Sequence, residues 1–184
     1  TWYNPNVESR WGIMPSLIAT LSMMQTLLLS ALSVAREREQ GTFDQLLVTP
    51  YTPTQIMIGK AIPPIIIGVI QSSIILAIIL FWFQIPVNGS LTLLYFGLFA
   101  FNIAVVGVGL SISAIALNMQ QAMLYTFFLI MPLTLLSGLL TPVQNMPEVL
   151  NWLTYANPLR FGIDLAQRVY LEGASFAQVK WDFV

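Results

Sequence analysis

LTLLYFGLFAFNIAVVGVGLSISAIAL, residues 91–117, contains no charged residue. A helix of about 20 apolar residues crosses the roughly 30 Å hydrocarbon core of a bilayer. Within lipid, backbone polar groups must be hydrogen-bonded inside the segment, so such a stretch forms a helix rather than an isolated strand. We therefore predict that this stretch spans a membrane.

Three other stretches have the same character. They cover about residues 12–34, 61–83 and 122–141, and none of them contains a charged residue. In the whole chain 57% of the residues are hydrophobic and 8% are charged, and the mean hydropathy is +0.76. Soluble domains carry about 25% charged residues, so lipid must cover much of this surface. We predict an all-α membrane protein with four transmembrane helices.

The composition excludes several classes of chemistry. The chain has no cysteine and no histidine, which removes disulfides, thiolate catalysis and the usual zinc and haem ligands. Its net charge of -1 gives no electrostatic case for nucleic-acid binding. Gly59-Lys60 lacks the upstream glycine of a phosphate-binding loop, and Glu37 and Glu39 would point apart on a helix. We predict no catalytic residue, no metal site and no nucleotide hydrolysis in this chain.

The loops between the apolar stretches differ in charge. The loop 35–60 contains most of the basic residues that flank a predicted span, whereas 84–90 and 118–121 contain no lysine or arginine. The positive-inside rule places loop 35–60 in the cytoplasm. Parity then places residues 84–90 and everything after residue 141 outside, although three basic residues in the tail oppose this assignment.

Loop 35–60 carries signals for a short helix. Thr42 with Gln45 fits a capping box, Asp44 lies in the first turn, and Pro50 ends the helix. A short amphipathic helix with a charged approach suits docking to a cytoplasmic partner. The residues equally fit a solvated loop that only fixes the topology.

Two further helix starts follow from capping residues. Thr52 with Gln55 forms a second capping box, and its helix leads into stretch 61–83. In the tail, Asn157-Pro158 places a cap before a proline at the first helical position. The segment 142–176 is amphipathic, so we predict outer helices that lie at the membrane surface or re-enter the membrane.

Few polar residues lie within the apolar stretches. Gln25, Gln71 and Asn102 are candidates for lining a substrate pathway. The alternative is that they form hydrogen bonds between helices, which is the more common role of such residues.

Three segments resemble one family. REREQGTFDQLLVTPYTPTQIMIGK (36–60) resembles the segment between the second and third spans of type-2 ATP-binding-cassette (ABC) exporter permeases. The segment LSGLLTPVQNMPEVLNWLTYANPLRFGIDLAQRVYLEG (136–173) resembles their outer loop after the fifth span, and YNPNVESRWG (3–12) resembles the approach to the second span. The similarity is greatest to bacterial inner-membrane permeases linked to multidrug export.

The resemblance implies a site that couples transport to a separate ATPase subunit. Residues 43–49 would be the coupling helix that seats on that subunit, with the charged segment before it. The ATPase subunit would bind ATP and magnesium, so this chain would need no cofactor. The coupling residues are then Arg36, Glu37, Arg38, Glu39, Gly41, Thr42, Asp44, Leu46 and Leu47.

The resemblance also implies an assembly. Two permease subunits, identical or different, would form a pathway for drug-like amphiphiles in the bacterial inner membrane. The chain begins with Thr1 and shows no signal-peptide pattern, so we expect a fragment. Its spans would be the second to fifth, and a first span, a periplasmic domain and a last span would lie outside it.

Two other functions are consistent with parts of the sequence. A secondary transporter driven by an ion gradient usually has an ionisable residue in the membrane, and the four stretches contain none. A membrane scaffold could bind a partner through loop 35–60 without ATP, and the residues alone do not exclude it.

Overall fold

The computed structural model describes residues 9–84, 89–137 and 157–172, and these contain helices and no strand. The all-α prediction is confirmed. The helices are α1 (Ser9–Glu39), α2 (Phe43–Leu47), α3 (Pro53–Phe81), α4 (Leu91–Ile115), α5 (Met119–Leu135) and α6 (Pro158–Gln167), and a π-helical segment Arg168–Glu172 continues α6.

Three of these helices are long and apolar enough to cross a membrane. They are the segment Ile13–Glu39 of α1, the whole of α3 and the whole of α4. α5 is apolar but has 17 residues, so it is shorter than these three. The fourth predicted span extended to residue 141, and its last residues lie outside the described part.

The helices extend beyond the predicted spans at the charged end. α1 runs through Glu39, so residues 36–39 form its last turn instead of the start of a loop. α3 begins at Pro53 and continues through Pro63 and Pro64 to Phe81. The charged residues 36–39 therefore belong to the helix of one span, and Lys60 belongs to the helix of the next.

One of the two predicted capping boxes in this region is present. At the start of α3, the Thr52 hydroxyl accepts a hydrogen bond from the Gln55 N–H, and the Gln55 side chain accepts one from the Thr52 N–H. The box predicted at Thr42 is wrong. The Thr42 hydroxyl donates to the carbonyl of Glu37 at 3.3 Å, and its backbone is already helical, so it does not cap α2.

α1 is the central helix and packs against α3, α4, α5 and α6. Its buried face consists largely of small residues, which let helix backbones approach closely in a membrane. These residues are Ser16, Ala19, Thr20, Ser22, Thr26, Ser30, Ala31 and Ala35.

α6 packs against both α1 and α4. Leu165 packs on Gly97, and Gly162 packs on Phe101. Phe101 lies ten residues along α4 from Leu91, which is about 15 Å and half of a bilayer core. α6 therefore packs beside α4 well within the length of that candidate span.

The predicted start of α6 is confirmed. Asn157 caps the helix by accepting a hydrogen bond from the Leu159 N–H at 3.0 Å, and Pro158 occupies the first turn. The Asn157 amide also donates to the carbonyl of Leu133 near the end of α5, at 2.7 Å. The tail segments on either side of α6, at 142–156 and 173–176, lie outside the described residues.

Candidate functional site

Four helix ends meet at the charged end of the bundle. They are the last turns of α1 and α4 and the first turns of α3 and α5, and α2 lies between α1 and α3. Two hydrogen bonds join α1 to the α4–α5 turn, one between residues 38 and 116 and one between residues 39 and 119. Loop 35–60 and the short connection 118–121 are thus on the same side, as the alternation of spans requires.

Glu37 joins α1 to α3. Its Oε2 atom forms an ion pair with the Nζ atom of Lys60. The Lys60 side chain is 12% exposed and that of Glu37 is 28% exposed, so the pair is largely shielded from water. Glu37 Oε2 makes no further hydrogen bond in the described part of the chain, which leaves Lys60 as its partner there.

Arg38 joins α4 to α2. Its Nη1 atom donates a hydrogen bond to the carbonyl of Ala116, just after the end of α4, at 2.9 Å. Its guanidinium carbon also lies 5.3 Å from the centre of the Phe43 ring, at the start of α2. A cation is stabilised at a helix C-terminus by the helix dipole and over an aromatic face by the ring quadrupole.

Glu39 joins α1 to α5. Its Oε2 atom accepts a hydrogen bond from the N–H of Met119, the first residue of α5, at 2.8 Å. A carboxylate at a helix N-terminus satisfies a free N–H and is stabilised by the dipole. Asn118 caps the same helix by accepting from the Gln121 N–H at 2.8 Å.

α2 projects from this anchored base. Gly41 has a φ of +71°, in the left-handed region that glycine adopts without strain, and it lets the chain turn from α1 into α2. α2 has no buried residue. Leu47, Val48 and Tyr51 are 65%, 85% and 64% exposed, so this corner presents an apolar surface beyond the end of the spans.

Residues 2–171 match the sequence model of ABC-2 type transporters. The chain belongs to the ABC-2 type transporter family. The resemblance inferred from the three segments is therefore confirmed. The described helices form an ABC-2 domain whose α2 stands at the position that the resemblance gave to the coupling helix.

Three proteins of Escherichia coli K12 are similar to this ABC-2 chain. The chain is 46% identical over 181 residues to the "Probable multidrug ABC transporter permease YbhR", covering 98% of the chain and 49% of the relative. It is 33% identical over 175 residues to the permease YbhS, which has the same description, covering 94% of the chain and 46% of the relative. It is 30% identical over 182 residues to the "Inner membrane transport permease YhhJ", covering 97% and 48%.

The chain thus spans about half the length of the curated relatives it matches. No solved structure matches it. The comparisons establish the family and the multi-pass membrane character of the ABC-2 domain.

The structure separates the predicted coupling residues of this ABC-2 domain into two groups. Glu37, Arg38 and Glu39 bind neighbouring helices, and Thr42 bonds back to Glu37. Glu39 makes its bond at an exposed position, and the others lie at the surface or in the turn. Those others are Arg36, Gly41, Asp44 and Leu47, which are exposed, and Leu46, which is half-buried.

Sequence reasoning missed the partners of the charged residues. Lys60, Phe43, Ala116 and Met119 complete the site, but two of them contribute only backbone atoms, which carry no sequence signal. Lys60 could have been found, since it is the one lysine in loop 35–60 and an acidic partner was to be expected. Glu37 and Glu39 contact different helices, as their spacing predicted.

Asn102 lies at a three-helix junction inside the domain. It is fully buried, and its Oδ1 atom accepts hydrogen bonds from the hydroxyls of Ser22 and Thr26, both at 3.0 Å. Its Nδ2 atom donates to the Leu98 carbonyl at 2.8 Å. Gly68 of α3 packs directly on Asn102 and Thr26. Asn102 thus forms the interhelical hydrogen bonds that were the alternative to a pathway role.

Gln25 and Gln71 are half-buried on α1 and α3. A role in a substrate pathway stays a prediction for these two residues and for Asn102. Among the described residues, no group of three or more acidic, histidine or cysteine side chains is placed to hold a metal ion.

Proposed function

We propose that this chain is part of the transmembrane permease subunit of an ATP-driven ABC exporter in a bacterial inner membrane. A separate cytoplasmic ATPase subunit binds and hydrolyses ATP with magnesium, and this chain contributes no catalytic residue. α2 and the following residues, 43–49, dock on that subunit. The family and the names of the relatives support this function.

The observation that carries the proposal is that α2 exposes apolar side chains while its base is held by α1. Leu47 and Val48 are 65% and 85% exposed beyond the end of the spans, and an exposed apolar patch favours a surface that covers it. At the same time, α2 is held at its base by the contact between Arg38 and Phe43. A loop that only fixed the topology would need neither the apolar surface nor the anchored base.

The pathway requires a second permease subunit, identical or different. The side of each ABC-2 domain that faces lipid is apolar. The second subunit would cover part of this side in place of lipid. The cargo passes at the interface between the two subunits and leaves near the segment of residues 145–172. Drug-like amphiphiles are the proposed cargo, because two relatives are named as multidrug permeases. Gln25, Gln71 and Asn102 are the proposed polar residues near that route.

The test is purification of the complete protein from its native membrane in mild detergent, followed by identification of bound proteins and an ATPase assay. We expect a stoichiometric ATPase subunit. Replacing both Leu47 and Val48 by serine should lower its recovery at least about tenfold, because burial of each side chain contributes about 1.5 kcal/mol or more and 1.4 kcal/mol is tenfold in affinity.

Ile115→Ser is the matched control. Ile115 is 71% exposed at the same end of the domain but lies outside α2, so the variant should retain the ATPase subunit. Intact permease without any ATPase subunit would contradict the proposal and would favour a scaffold or an ion-driven transporter.

A further inference from the structure

The turn between α4 and α5 is bound by two adjacent residues of α1. Arg38 donates to the carbonyl of Ala116 where α4 ends, and Glu39 accepts from the N–H of Met119 where α5 begins. The cation meets the negative end of one helix dipole and the anion meets the positive end of the next. The order of the two charges therefore matches the order of the two helix ends.

The backbone packs closely at the same place. Ala35 of α1, Ala116 of the turn and Ala122 of α5 are all fully buried against one another. Side chains this small let the turn approach α1 closely enough for Arg38 and Glu39 to reach its backbone. The contact thus combines close packing with two charge-assisted hydrogen bonds.

The same α1 residues also hold α2. The Arg38 guanidinium that binds Ala116 lies over the Phe43 ring, so one side chain touches both α4 and α2. The connection to α2 is internally bonded as well, because the N–H of Thr42 donates to the Glu37 carbonyl at 3.0 Å. The Arg38 side chain and the backbone bond at Thr42 therefore link α2 to the α4–α5 turn through the end of α1.

We propose that Arg38 and Glu39 are positioning residues that tether the α4–α5 turn to α2, so that a displacement of α2 moves α4 and α5 with it. This inference rests on the proposed function, in which the ATPase subunit displaces α2. It gives these two charges a role inside the permease. The rival role is direct contact with the ATPase subunit, to which the resemblance assigns this segment.

A covalent link between positions 39 and 119 could replace a tether, but it could not replace a contact between the Glu39 carboxylate and the ATPase subunit. Glu39→Ala removes the bond to Met119, whereas Gln40→Ala is a matched control, because Gln40 is exposed one residue further along the same turn. In the variant Glu39→Cys with Met119→Cys, a short bis-thiol reagent can restore the tether without restoring the carboxylate. The 184-residue sequence contains no cysteine. Any cysteine elsewhere in the complete protein would be replaced before the experiment.

The experiment uses the complete permease with its ATPase subunit in lipid nanodiscs. Hydrogen exchange of the peptide that contains residues 116–121 is measured with and without a non-hydrolysable ATP analogue. For the unmodified protein, we expect the analogue to change this exchange. For Glu39→Ala, we expect the ATP-dependent change to be lost while the ATPase subunit stays bound, and exchange at the turn to be about two- to fivefold faster, the equivalent of about 0.3–1 kcal/mol for a carboxylate at an exposed helix N-terminus.

Cross-linking the cysteine pair should bring the ATP-dependent change back, and Gln40→Ala should behave as the unmodified protein. The tether is overturned if the cross-linked pair shows no ATP-dependent change. It is also overturned if Glu39→Ala releases the ATPase subunit while exchange at the turn stays slow, since Glu39 would then be a docking residue. Absence of any ATPase subunit from the complete protein would overturn the proposed function itself, and is thereby distinguishable from failure of the tether alone.

Discussion

The carboxylate of Glu37 and the ammonium of Lys60 form an ion pair across the gap between the last turn of α1 and the first turns of α3. These two helices are consecutive spans joined by α2. The ion pair holds together the two helix ends that flank this connection, and α2 projects from between them.

Breaking this ion pair should destabilise the domain. Glu37→Ala leaves the Lys60 ammonium shielded and unpaired, at an expected cost of about 1–2 kcal/mol. In a double-mutant cycle, Glu37→Ala with Lys60→Ala should cost less than the sum of the single changes, because neither charge is then left alone. Thermal unfolding in detergent measures all three variants. Arg36→Ala, at an exposed position in the same turn, should shift the free energy of unfolding by no more than about 0.5 kcal/mol, and strict additivity in the cycle would argue against the pair.

Gly68 should be intolerant of a methyl group. A Cβ atom there would lie 2.5 Å from both Asn102 Oδ1 and Thr26 Oγ1, so α3 would have to move away from α1 and α4. We expect Gly68→Ala to destabilise the domain by about 1–3 kcal/mol through overpacking. Gly59→Ala is the control on the same helix. A Cβ atom at Gly59 meets nothing within 4 Å, so that change should be neutral or stabilise α3 by up to about 1 kcal/mol. Equal melting temperatures for the two variants would show that the close approach at Gly68 is absent.

Asn102 should contribute to stability through its bonds to α1. Asn102→Leu removes the acceptor for the Ser22 and Thr26 hydroxyls, and we expect a loss of about 0.5–2 kcal/mol. Ser111→Ala removes only a bond to the carbonyl of Gly107 in the same helix, at an exposed position, and should have little effect. Reversible unfolding in mixed detergent provides the comparison. A stable, fully folded Asn102→Leu variant with impaired transport would instead favour a role for Asn102 in the pathway.

Asn157 should matter more than Asn118, although both residues cap a helix. Asn157→Ala removes the cap of α6 and also the bond to the Leu133 carbonyl, in a buried setting. Asn118→Ala removes the cap of α5 at a partly exposed position. We expect about 1 kcal/mol for the loss of each cap and roughly 1 kcal/mol more for Asn157. Limited proteolysis near α6, together with unfolding midpoints, measures the difference. A larger effect at Asn118 would contradict the buried setting of Asn157.

The sequence predicts the helices well because their signal is local. A long run without charge, such as residues 91–117, identifies a helix in lipid without reference to the rest of the chain. Capping at Thr52 and Asn157 is equally local, since donor and acceptor lie within three residues of each other. The α1 extension to Glu39 was missed because its charges are stabilised by distant partners.

The site could be predicted only in part. The alternating charges of residues 36–39 mark the place, but their partners depend on which helix ends meet there. Ala116 and Met119 accept and donate through backbone atoms, so their side chains do not reveal these two bonds. The residue type of Asn102 suggested a hydrogen bond between helices. Its partners are Ser22 and Thr26 because of the rotation of α1 about its own axis, which the sequence does not reveal.

The small-residue face of α1 also limits where a solute could pass under the proposed function. At Gly68 and Gly109 the space for even one methyl group is taken by neighbouring side chains, Thr26 with Asn102 and Ser30 respectively. At these two positions α1 packs on α3 and α4 without room for a solute between the helices. The proposed cargo would therefore pass beside this packed seam, and the surface opposite the seam would select the molecules that fit.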